Sequence, residues 1–212
     1  MKSVTENINL SLLEICAVLL PGAAALIIGW QIPDKQTDLV ESIPIINKEW
    51  QAVLAFLGGA YFVGYLVFFV GSKLDDWVYD KFRAQFGLVN NDALMEKVAE
   101  YKKAEFGFDT PNIINLYKWS FGKLLVQYPA LYAVVERDQA ASKFFRSMVV
   151  VMFFSLFVFG FKQDWIMVAM SFLVMILSLL VYAKQRHKAV NTAYEYIVIV
   201  SNIKTKSEKK TD

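Results

Sequence analysis

The chain has 212 residues, 56% of them hydrophobic and 15% aromatic, with 17 Phe, and its mean hydropathy is +0.38. That is too apolar for a soluble domain of this size and fits a small multi-span membrane protein. The net charge of +2 implies no nucleic-acid partner by itself, and one Cys (Cys16) with one His (His187) excludes an internal disulfide and a Cys/His zinc site within one chain.

The opening "MKSVTENINL" has one Lys and no small-residue cleavage site, so the first apolar run reads as a retained span and not as a signal peptide. That run, "NLSLLEICAVLLPGAAALIIGW" over 9–30, approaches the roughly 20 residues needed to cross a bilayer. Glu14 is an ionisable group inside it and is a candidate for lining a water path. The plainer alternative is a hydrated carboxylate at the membrane interface. Pro21 and Gly22 fall mid-span, where proline removes a backbone hydrogen bond and a kink or break is expected. A broken helix beside a pore could gate it; a static kink filled by a neighbouring helix is the alternative.

A second span is expected over 50–71, "WQAVLAFLGGAYFVGYLVFFVG". Ala55 stands four before Gly59 and Ala60 four before Gly64, a spacing that lets helix backbones approach closely, within one chain or between copies. Residues 1–71 thus form a first transmembrane hairpin.

Residues 72–128 read as a helical cytoplasmic insertion. "DDWVYDKFRAQF" continues from the second span. "NNDALMEKVAEYKKAEF" starts on Asn/Asp caps. "DTPNIINLYKWSFGKLLVQY" has Asp109 or Thr110 as cap and Pro111 at the first helical position. In "LYKWSFGK", Lys118, Trp119 and Lys123 combine cations with an aromatic ring, which suits stacking on bases and pairing with phosphates. The competing reading is an amphipathic helix with Trp119 in a core or at the membrane surface.

Residues 129–203 read as a long helical hairpin. "SMVVVMFFSLFVFGF" at 147–161 is a third span, completed when Lys143 and Arg146 snorkel outward. "KQD" separates it from the fourth, 165–183, so the two pair as a tight antiparallel hairpin. Both helices should project beyond the membrane, at about 1.5 Å per residue. Glu136, Arg137, Arg146, Arg186 and Tyr194 would then form a polar latch in two layers, or merely solvated surface pairs. "AVNTAYEYIVIVSNIK" continues the fourth span as helix, and 204–212 reads as a disordered tail.

Charge orients the spans. Of 22 Lys and Arg, 11 lie in 72–146 and seven after 183, while the 31–49 connection carries two Lys against four acids. Both termini therefore face the cytoplasm. Trp30, Trp50 and Trp165 fall at the outer ends, where indole prefers the headgroup boundary.

Motifs for nucleotide hydrolysis, zinc proteolysis and serine hydrolysis are missing, so no enzyme, cofactor or metal site is expected. Four segments carry a resemblance: "LLEICAVLLPG", the helical insert, "ERDQAASKFFR" leading into the tight hairpin, and "KQRHKAVNTAYEY" after it. This layout resembles the membrane effectors encoded beside bacterial phage-defence enzymes, that of the Hailong system in particular. It covers most of the chain as an arrangement. It implies a homo-oligomeric ion channel, a tetramer being one option, controlled by short single-stranded DNA oligomers. A partner nucleotidyltransferase would make them, and channel opening would stop growth of an infected cell. The resemblance carries over no binding residue. From the residues alone, a signal-gated channel competes with a non-conducting scaffold that anchors a soluble partner, and with a membrane enzyme acting on lipid.

Overall fold

The computed structural model describes residues 2–31, 49–75, 88, 91–106 and 114–208. Among them the chain is all helical: α1 (Lys2–Gly29), α2 (Glu49–Leu74), α3 (Asp92–Phe106), α4 (Leu116–Gln127), α5 (Pro129–Phe161) and α6 (Trp165–Glu208). Three of these are long and apolar enough to cross a membrane, within Trp50–Leu74, Pro129–Phe161 and Trp165–Ile203. The described apolar part of α1, Ile15–Gly29, is shorter.

Exposure follows the logic of a lipid solvent. Phe62 and Phe69 on α2 are each 65% exposed, Phe161 on α5 87% and Ile166 on α6 77%. Apolar faces this large are not left to water in a stable monomer. Many buried positions of α5 and α6 are instead small or polar, among them Ser147, Ser155, Ser171, Ser178 and Ala183, beside valines such as Val149, Val151 and Val158. Without a hydrophobic drive between helices in lipid, such residues let backbones approach and gain dispersion contact.

The α1–α2 pair shows this most sharply. A Cβ on Gly22 would sit 1.8 Å from the Ala60 carbonyl oxygen, and one on Gly64 would sit 2.1 Å from the Val18 oxygen. The Ala60/Gly64 spacing is therefore spent inside the chain, against α1. Pro21 is fully buried at the same crossing, and α1 runs through it as one helix, so the expected break is not formed. Gly22 lets α1 and α2 approach at this crossing.

Helices α5 and α6 form the antiparallel hairpin expected from "KQD". Its turn is a glycine-type helix end made without glycine: Gln163 has φ 58°. The Gln163 N–H donates to Gly160 O at 3.0 Å and the Asp164 N–H to Phe159 O at 3.0 Å, which satisfies the last carbonyls of α5. Asp164 Oδ1 then accepts from Met167 N–H at 3.2 Å and caps α6. Lys162 Nζ donates to Gln31 Oε1 at 3.5 Å, placing this turn beside the end of α1. The exposed Trp30 and Trp165 lie at that same end.

Toward the other end, α3 and α4 pack on α6, and α4 also on α5. Their shared core holds Val98, Trp119, Leu124, Val135, Ala193, Tyr194 and Ile197. Asn115 caps α4 by accepting from Tyr117 N–H at 2.8 Å. This corrects the expected start at Asp109 or Thr110, which lie outside the described residues, as does "DWVYDKFRAQF". Asn wins because residues 114–115 are non-helical and its side chain reaches a free N–H of the first turn. The α6 backbone stays helical to Glu208, into the stretch read as a tail, whose last residues, 209–212, lie outside the described residues.

Candidate functional site

The polar groups nearest the apolar part converge on Asp75, directly after α2. Arg146 on α5 donates through Nη1 to Asp75 Oδ2, and the Tyr182 hydroxyl on α6 donates to Asp75 Oδ1. One carboxylate thus joins the end of α2 to both arms of the hairpin. The side chain of Arg146 is only 8% exposed and that of Asp75 24%, while Tyr182 is fully buried. The Arg146 guanidinium also lies over the Phe68 ring, with Cζ 4.8 Å from its centre. Its Nε is buried with no hydrogen bond. A charge this buried is tolerated because a carboxylate and an aromatic face stand against it.

A second tie lies further along the hairpin. Asp138 on α5 is 5% exposed and meets Lys188 of α6, with Nζ 3.1 Å from Oδ2 and 3.2 Å from Oδ1. Between Tyr182 and Lys188 along α6, Arg186 stacks on Tyr117 of α4, with Cζ 5.5 Å from the ring centre. The Tyr117 hydroxyl is buried without a hydrogen bond. Burial pushes its pKa up to about 12, the Arg186 charge pulling against the shift and Tyr194 adding to it.

Each latch candidate has its own surroundings. Arg146 pairs with Asp75, Arg186 stacks on α4, and Tyr194 sits in the α3–α4 core. Glu136 is buried, whereas its neighbour Arg137 is exposed and faces a groove beside Cys16 and Leu20 of α1. The physical reason is helical periodicity. Neighbours in sequence point about 100° apart, so 136, 137 and 138 cannot all face α6.

The ligand-binding candidates are separated as well. Trp119 is 7% exposed inside the core, which leaves no face for a base. Lys123 lies 4.9 Å above its ring and pairs with Glu105 at 2.5 Å. Lys118 is exposed. The amphipathic reading of "LYKWSFGK" therefore holds. The side chain of Glu14 lies outside the described residues.

Sequence reasoning missed Asp75, Tyr182 and Lys188 as partners. One signal was available. Asp75 and Arg146 are opposite charges bordering two apolar runs, and alignment of those runs places them at one level.

No family model, no curated protein and no solved structure matches the chain. Among the described residues, the fold and site thus define an all-helical protein with three helices able to cross a membrane and a polar junction at Asp75 tying them together.

Proposed function

We propose that the chain is the subunit of a homo-oligomeric, signal-gated ion channel in a bacterial inner membrane, acting in anti-phage defence. In this reading α1, α2 and the apolar halves of α5 and α6 make four spans, with both termini and α3–α4 in the cytoplasm. The observation that carries it is continuity. Helices α5 and α6 run unbroken from a lipid-type exposed surface, past the Asp75 junction, into a core shared with α3 and α4. A signal bound at α3–α4 therefore acts on levers that reach the membrane part, and Asp75 couples those levers to α2. The signal must bind one state more tightly than the other to shift the equilibrium. The resemblance nominates short single-stranded DNA made by a nucleotidyltransferase as that signal. Four spans form a pore only when several copies surround an axis.

Ion flux from liposomes holding the purified protein, with and without short single-stranded oligonucleotides, tests this. Flux that the oligonucleotides alter supports the reading. Demonstrably inserted protein with no flux in either condition refutes it. The scaffold reading then takes its place, favoured by the apolar surface that α4 leaves open at Leu125 and Val126, 50% and 81% exposed.

A further inference from the structure

A groove of about 270 Å³ runs between α1 and α5. Its lining is Cys16, Ala17 and Leu20 on α1, and Ala140, Ala141, Phe144 and Phe145 on α5, with Arg137 at the end nearer the start of α5. The alanines leave room for it, because they present little side-chain volume. The phenylalanines wall it. Leu20 is 54% exposed, so the groove opens beside the apolar surface already described.

Arg137 is the one charge in this lining. It is exposed, and among the described residues it makes no ion pair. Three nearby basic side chains are engaged: Arg146 on Asp75, Arg186 on Tyr117 and Lys188 on Asp138. An apolar trough ending in a lone guanidinium has the two chemistries of a phospholipid in sequence. A chain fills the trough, and a phosphate takes paired hydrogen bonds from the planar fork.

We infer that this α1–α5 groove binds an anionic phospholipid, one acyl chain lying along Leu20, Ala141 and Phe144 and the phosphate on Arg137. Net charge selects the class. A zwitterionic lipid carries its own cation beside the phosphate and gains little from Arg137. A second copy of the chain offering an apolar helix would fill the trough but leave the guanidinium unanswered. The inference rests on membrane insertion and not on the channel reading, so flux and lipid retention fail independently.

The test is native mass spectrometry of the detergent-solubilised full chain titrated with phosphatidylglycerol or phosphatidylcholine. One basic residue near a membrane surface favours anionic lipid by about fivefold, so phosphatidylglycerol is retained about fivefold more than phosphatidylcholine. Arg137→Gln abolishes that preference; as an exposed position, it leaves helical content and size-exclusion behaviour unchanged. Leu20→Trp, also at an exposed position, occupies the trough and lowers retention of both lipids equally. Undiminished phosphatidylglycerol preference in Arg137→Gln overturns the proposal, because other cations would then carry it. Undiminished retention in Leu20→Trp overturns the placement of the chain.

Discussion

Replacing Asp75 by Ala leaves the Arg146 guanidinium buried without a carboxylate and the Tyr182 hydroxyl without its acceptor. Breaking a buried ion pair from one side costs roughly 3–5 kcal/mol. Asp75 is 24% exposed, so water takes part of the load and the lower end, about 3 kcal/mol, applies. For a chain of this size each kcal/mol moves the midpoint by about 2–4 °C, which gives a fall of roughly 6–12 °C in Tm. Arg146→Ala falls less, because the carboxylate it leaves is partly hydrated and keeps Tyr182. The decisive arm is the double variant Asp75→Ala/Arg146→Ala, which removes both charges and so the unpaired one. It should be more stable than the sum of the single losses by about 2 kcal/mol, a coupling expected of directly contacting residues. The assay is thermal unfolding in detergent followed by tryptophan fluorescence. Single losses that add to within about 0.5 kcal/mol would refute the reasoning, since the two groups would then act independently.

Gly22→Ala forces α1 off α2, because its Cβ would overlap the Ala60 carbonyl, and should lose folded protein on size exclusion. Gly58→Ala, with nothing within 4 Å, should be neutral or stabilised by up to about 1 kcal/mol. Gln163→Gly relieves the left-handed backbone at the hairpin turn and should raise stability by about 1 kcal/mol in the same melt; no gain would mean that the turn is made differently. Tyr117→Phe removes a buried hydroxyl with no partner and should be neutral or stabilising by about 1 kcal/mol. Its pH signature has a definite sign. The folded pKa of about 12 lies above the unfolded 10.0, so the unfolded chain loses the proton first. Stability then falls as pH rises from 10 toward 12, and the wild type should lose more than Tyr117→Phe across that window. Equal losses in the two proteins would place Tyr117 in water.

Much of the architecture was legible because it depends on local rules. Apolar runs of spanning length, the tight "KQD" turn, the cap at Asn91 for α3 and the Pro129 start of α5 are each decided within a few residues. The continuation of α6 through "AVNTAYEYIVIVSNIK" followed the same way, since its stripe kept a helical period despite its β-branched content. The cap of α4 was misplaced because Asp109, Thr110 and Asn115 are all competent caps, and local chemistry does not rank them.

Side-chain partnership is a different matter. Arg137 and Arg146 look alike in a sequence, yet one lines an apolar groove and the other is buried on Asp75. Trp119 beside two lysines looked like a stacking platform and became core. Gly22, read as a gating candidate, also sits where α1 approaches the α2 backbone closely. The sequence by itself determined which segments are helical and which are apolar enough for lipid, because periodicity, capping and hydropathy are properties of neighbours along the chain. Only the tertiary structure decided that Asp75, Arg146 and Tyr182 meet. Those residues are far apart in sequence, and their bonds depend on the crossing and rotation of three helices, which packing at small residues sets and no local pattern records.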